Sequence, residues 1–209
     1  VVRVVRQQLV SGRALCAAVE SLGAFREPAA LDAAFDTLSH GDGRVRNAGL
    51  WSLVRAGDTG TAYLLRAIDH EIGDVACQVP PLLGAFRHAA PGVPEALVTA
   101  LKSGDDALRA AAARGLRFLR TDSGGAAAAL AEALIDRCAD VQAEAAQALG
   151  LIYEKRGSAP SALLDALDSV HAIVRARAAE ALVRAGAPPT QVLPALVDTL
   201  ASSDWFARL

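Results

Sequence analysis

Gln142 stands 33 residues after Arg109, Arg175 stands 33 after Gln142, and Arg208 stands 33 after Arg175. Around each lies the pattern that Val141 to Gly150 displays most plainly, V-Q-A-E-A-A-Q-A-L-G: a leading apolar position, two adjacent small residues and a leucine. A fixed period of this size constrains the chain more than any single motif. A unit that short cannot bury its apolar face alone and must stack on its neighbours. The phase continues upstream through Ala76 and Arg46 and, in looser register, Leu15. We therefore expect an all-α fold, a right-handed α-α superhelix (α-solenoid) of about six helical hairpins. Residues 1–209 form a single repeat domain in this reading, and because no Met opens the chain and Asp204 to Leu209 begins a further unit, it is expected to be truncated at both ends.

Each unit reads as an outer helix A, a turn and an inner helix B. The A helices are expected over Pro28 to Leu38, Thr61 to Ile68, Val93 to Lys102, Ala126 to Ile135, Ser161 to Leu167 and Thr190 to Leu200. Pro28, Pro94 and Pro188-Pro189 suit helix starts, where the missing amide hydrogen costs nothing, and Pro194 is expected to bend the last A helix. On helix B, Ala178, Ala179 and Leu182, with Val174 and Val183, make a packing stripe that recurs as Ala145, Ala146, Leu149 and as Ala112, Ala113, Leu116. The small residues permit close approach, while each leucine contributes on the order of 2 kcal/mol when buried. Asp42, Asp105 and Asp204, each four residues before its phase position, are placed to cap helix B; Ile72, Cys138 and His171 replace them elsewhere. Val1 to Phe25 reads as a divergent first unit with Ala18, Val19 and Leu22 in the stripe.

Only 4% of residues are aromatic, which fits closely packed helices, and the net charge of −2 offers no global attraction to nucleic acid or an anionic membrane. Cys16, Cys77 and Cys138 are too far apart for a C-x-x-C motif, and three cysteines do not complete a disulfide framework. Reduced thiols and a cytoplasmic location are expected. The most apolar run, Ala126 to Ile135, contains Glu132 and is too short to span a bilayer, so no membrane partner is expected.

The T-P-L-H turn of ankyrin units and the Trp, Leu-Gly, Tyr, Ala, Phe, Pro pattern of tetratricopeptide units are both missing. Instead V-R-A-R-A-A-E-A-L at Val174 to Leu182 and the stretch Val141 to Gly150 resemble the short HEAT-like units named after the phycobilisome lyases. The resemblance covers roughly residues 30 to 209. Such units occur in bilin-attaching subunits, deoxyhypusine hydroxylases, HEAT-like alkylpurine DNA glycosylases and scaffolding proteins. A hydroxylase of that kind would need several His-Glu pairs to hold two irons, and this chain has only His70-Glu71. The resemblance implies an α-solenoid and carries no catalytic residue across.

Function is expected where the stripe is interrupted. In the third unit helix B reads D-V-A-C-Q-V-P-P-L-L-G-A-F-R-H, and Pro80-Pro81 take the places of Ala113-Arg114 and Ala146-Gln147. Interior prolines cost about 3 kcal/mol or more. Either helix B kinks and opens a recess, or Pro80 begins a new helix. Positions five and nine after the phase residue should face the concave surface; they hold Trp51 and Arg55 in the second unit and Arg114 and Phe118 in the fourth. With Cys77, Gln78, Pro80, Pro81, Arg87 and His88 from the irregular unit, these make the candidate ligand- or partner-binding set. Aromatic planes beside guanidinium groups can hold an anionic or flat ligand, or a partner's acidic segment.

Alternatives stand beside that set. Trp51 and Phe118 would also suit inter-repeat core, and Arg114, Arg117 and Arg120 a solvated helix edge. Cys77 lacks a base, since His88 lies eleven residues on, about three helical turns away. His70, Glu71 and Asp74 near one turn fit solvated groups better than a metal site. No catalytic residue, metal or cofactor is assigned. The sequence therefore reads first as a binding scaffold that engages a protein or anionic partner through its concave face. An anionic or aromatic small molecule in a pocket at the third unit, as an enzyme or biosynthetic accessory protein would use, comes second. DNA binding in the manner of the HEAT-like glycosylases, through a continuous arginine track, comes last.

Overall fold

The computed structural model describes residues 12–70, 72–85, 90–120, 125–154 and 159–201. All regular structure among them is helical. The chain packs as two compact units, Val1–Leu83 and Gly84–Leu209, and the division falls inside the proline-bearing helix of the third repeat.

The first unit contains α1 (Gly12–Leu22), α2 (Pro28–Asp36), which tightens into a 3-10 turn over Thr37–Ser39, α3 (Gly43–Arg55), α4 (Asp58–Asp69) and α5 (Gly73–Ala76). Helix α6 (Val79–Ala85) spans the division. The second unit contains α7 (Val93–Ala100), α8 (Asp106–Leu119), α9 (Ala126–Ala133), α10 (Ala139–Ile152), α11 (Ser161–Asp165) with a 3-10 turn at Ala166–Asp168, α12 (Ala172–Ala185) and α13 (Pro189–Ala201). Within it α8, α10 and α12 are the B helices: α10 packs between the other two, while the A helices α7 and α9 pack on α8 and α10. Pro28 and Pro94 lie in the first turns of α2 and α7. Pro194 sits inside a continuous α13.

The repeated stripe is the core. Ala112, Ala113 and Leu116, Ala145, Ala146 and Leu149, and Ala178, Ala179 and Leu182 are all at most 1% exposed. Val174 joins them, but Val183 is 57% exposed: it lies one residue, about 100° of helix, beyond Leu182 and has turned out of the interface. Close approach is needed at Gly150, where an added Cβ would stand 2.6 Å from the Cα of Ala181 on α12. In the first unit α1 buries Val19 and Leu22 of its expected stripe, while Ala18 is only half-buried.

The residue at the phase position has a mechanical role that its spacing alone does not reveal. Arg46, Arg109 and Arg175 each turn a guanidinium back along the chain, and Nη1 donates to the carbonyl six residues earlier: His40 at 2.8 Å, Ser103 at 2.9 Å and Ser169 at 2.9 Å. Gln142 makes the same bond to the carbonyl of Asp136 through Nε2. The residue whose carbonyl is held also acts through its side chain. Ser103 Oγ, Asp136 Oδ1 and Ser169 Oγ accept from the amides of Asp105, Cys138 and His171, and His40 Nδ1 accepts from that of Asp42. The A-to-B turn is thus closed from both sides in four repeats. Asp42 and Asp105 also cap their helices as expected, accepting from the amides of Arg44 and Ala107. Ala76 holds the phase position in the third repeat and has no side chain able to do this.

Arg109 goes further. It is 6% exposed, and all five of its N–H groups are used. Nε and Nη2 bind the two oxygens of Asp136 at 2.7 and 2.9 Å, Nη2 also reaches Asp106 at 2.7 Å, and Nη1 serves the carbonyls of Ser103 and Gly104. The Asp136 hydrogen bonds push the Arg109 pKa up, and the same guanidinium holds the Asp136 carboxyl below the usual carboxylate range. By contrast Nε of Arg46 and of Arg175 is buried with no acceptor.

Breaking a fully partnered buried pair leaves the surviving charge uncompensated, at about 3–5 kcal/mol. Arg109→Met should lower stability by that amount in urea denaturation, and Arg175→Met, which loses only hydrogen bonds to carbonyls, by about 1 kcal/mol. Because the folded pKa of Asp136 is depressed, its contribution is complete above the unfolded carboxylate value of about 3.9 and disappears as pH falls through the lower folded value. Asp136→Asn should therefore flatten the loss of stability below about pH 4.

Candidate functional site

Helix B of the third repeat is broken rather than kinked. Helix α5 stops at Ala76, Cys77 and Gln78 form a turn, and α6 begins at Val79 with Pro80 and Pro81 in its first turn. There the missing amide hydrogens belong to positions that have no intrahelical acceptor, so the prolines start a helix instead of straining one. Pro80 is buried, Pro81 and Cys77 are half-buried and Gln78 is exposed, its Nε2 donating to the carbonyl of Asp74. Arg87 and His88 lie outside the described residues, as does Glu71. Cys16, Cys77 and Cys138 form no disulfide. Asp74 has a structural partner: Arg46 Nη2 binds it at 2.9 Å, and that hydrogen bond lowers its pKa. Among the described residues no three His, Cys, Asp or Glu side chains are grouped to hold a metal ion.

On α3, Trp51 and Arg55 are four residues apart, one turn along the same face, and both are exposed, Trp51 by 55%. On α8, Arg114 and Phe118 repeat that spacing, with Phe118 46% exposed and the Arg117 guanidinium 5.2 Å from its ring centroid. Neither aromatic is inter-repeat core.

The arginines of α8 and Arg120 at its C-cap are not a plain solvated edge. Arg114 Nε binds Glu144 on α10 at 2.9 Å, Arg117 donates to Gln147, and Arg120 pairs with Glu154. Glu144 Oε2 is buried 3.4 Å from Arg117 Nη1, an ion-pair distance without hydrogen-bond geometry. On α12, Glu180 is bracketed by Arg184 at 2.9 Å and Arg177 at 3.1 Å, and the hydrogen bond from Arg184, then that from Arg177, lowers its pKa. The B-helix face of the second unit thus alternates guanidinium and carboxylate. Glu144, Glu154 and Glu180 interrupt the continuous arginine track that DNA binding calls for.

One cluster went unread in the sequence. On the A helices of the first unit, Arg66 lies 4.5 Å from the Phe35 ring centroid and 5.4 Å from that of Tyr63, and the two rings are 6.0 Å apart. Burial raises the Tyr63 pKa, with a hydrogen bond to Asp32 adding to it. Phe35, Tyr63 and Arg66 belong to no common motif, and pairing Phe35 with Tyr63 requires the register between α2 and α4.

A model of HEAT repeats matches residues 94–183. None of the curated proteins matches the sequence. Among solved structures, one described as an engineered protein is 20% identical with a TM-score of 0.57, over 88% of this chain and 96% of that one. A second engineered protein is 21% identical with a TM-score of 0.56, over 97% of this chain and 63% of its own length. A third is 19% identical with a TM-score of 0.52. At these identities the likeness concerns the fold alone. No helix among the described residues is long and apolar enough to cross a membrane.

If exposure governs, Trp51→Ala and Phe118→Ala should each change stability by less than about 1 kcal/mol. Leu149→Ala should cost about 2–5 kcal/mol in the same thermal or urea titration.

Proposed function

Because the chain is a HEAT-like repeat protein, we propose that it is a protein-binding scaffold whose B helices carry the docking residues. The observation that supports this most is the exposure of Trp51 and Phe118 on B helices whose stripe is otherwise buried. Large exposed aromatics beside arginines are the residue types that dominate binding energy at protein interfaces. Each unit contributes a patch of its own: Trp51 and Arg55, followed in sequence by Cys77, Gln78 and Pro81, with buried Pro80 supporting the start of α6, in the first, and Arg114 with Phe118 in the second. Arg87 and His88 are assigned to the same function on sequence grounds. Stacked repeats present extended surfaces suited to this work, since changing a B-face side chain leaves the stripe intact.

The triple variant Trp51→Ala, Arg114→Ala, Phe118→Ala should keep its helical circular dichroism spectrum and lose the partner that co-purifies with the full chain. Quantitative mass spectrometry of tagged wild-type and variant protein reads this directly. Unchanged capture by the folded variant would remove the assignment.

A further inference from the structure

We infer that the cleft crossing the three B helices of the second unit is an anchor site for an acidic, leucine-containing segment of a partner protein. The cleft has a volume of about 240 Å³ and is lined by Arg117, Gln147, Leu151, Glu180, Ala181 and Arg184. None of these belongs to the patches above, and the inference rests on the reading of the B helices as the docking face.

Size decides the class of occupant first. Sites for small molecules and cofactors run from about 300 to 1,000 Å³, so this cleft suits one side chain with its neighbouring backbone. Leu151, half-buried, supplies the accessible apolar surface, with Ala181, 1% exposed, beneath it. A single aliphatic side chain fits such a floor.

Charge decides what flanks that side chain. The carboxylate of Glu144 is withdrawn, its side chain 17% exposed, while the guanidinium side chains of Arg114 and Arg184 are 45% and 44% exposed. Among the charged groups lining the cleft, Arg117 and Arg184 outnumber Glu180, whose side chain is 40% exposed and already paired with Arg177 and Arg184, so the local balance is positive although the chain carries −2 overall. The guanidiniums are also held in place with donors to spare. Arg184 uses Nη2 on Glu180, Arg114 uses Nε on Glu144, and Arg117 uses Nη1 on Gln147; their other N–H groups have no acceptor among the described residues. A guanidinium oriented by one carboxylate and open on its other edge is arranged to take a second carboxylate with two hydrogen bonds. Nucleic acid fits less well. A single strand needs successive aromatic platforms, and no aromatic side chain lines the cleft.

The test uses the full chain and fluorescence anisotropy with fluorescein-labelled peptides of equal length, one placing single leucines between glutamate pairs and the other replacing glutamate by lysine. The glutamate peptide should bind at least about tenfold more tightly, with affinity falling as salt rises. The Arg117→Glu/Arg184→Glu variant should reverse the preference, an outcome that misfolding cannot produce, and Leu151→Asp should weaken the glutamate peptide about tenfold. Equal binding of both peptides, no binding, or a folded charge-swapped variant with unchanged preference would overturn the inference. So would equally tight binding of an oligothymidylate or of phosphatidylserine vesicles. If the peptides fail while capture of the co-purified partner still depends on Trp51 and Phe118, only the acidic-segment assignment falls. If that capture is indifferent to both aromatics, the scaffold reading falls by itself.

Discussion

A guanidinium removed from water must have its N–H groups answered, and Arg109 meets that condition at the join between repeats. It closes its own A-to-B turn through the carbonyls of Ser103 and Gly104 and reaches the next turn through Asp136. Asp136 in turn holds the amide of Cys138 at the start of α10. One side chain therefore sets where helix B begins and how far the following repeat is displaced. Arg46 and Arg175 repeat the turn closure with Nε left unanswered, so the device is strongest in the middle of the array. Where Ala76 replaces the latch, helix B is divided into α5 and α6, and the two compact units meet in sequence inside α6.

This arrangement separates the residues that stabilise the array from those free to vary. The small-small-leucine stripe and the phase residue handle packing and turn closure. Positions further round the B helices then carry Trp51, Phe118 and the alternating charges of Arg114, Glu144, Glu180 and Arg184 without disturbing the stack. Partner recognition on such a scaffold is a matter of side-chain chemistry on a pre-formed surface, which reduces the ordering cost of binding.

Much of the fold was legible because it depends on local periodicity. The stripe residues Ala145, Ala146 and Leu149 and the helix starts at Pro28 and Pro94 follow from spacing and backbone chemistry alone. Val183 was misplaced because it sits at the margin of the stripe, where one residue of rotation moves a side chain from core to solvent. The latch was hidden for another reason: a bond from residue 109 to the carbonyl of 103 depends on where the turn directs its carbonyls. The arginines of α8 looked solvated because their acceptors, Glu144 and Gln147, lie 30 residues away, close to the repeat length but one helical turn short of it. Pro80-Pro81 carried both possibilities, and only the observed start of α6 at Val79 separates a new helix from a kink.

Amide hydrogen exchange of the full chain, alone and with a protein captured by it from lysate, tests the account most directly, because it reports which helices a partner covers. Protection gained on α3, α8, α10 and α12, with α2, α7 and α9 unchanged, is the result the B-helix docking face requires. Protection confined to the A helices, around Phe35, Tyr63 and Arg66 or on α9, would contradict it.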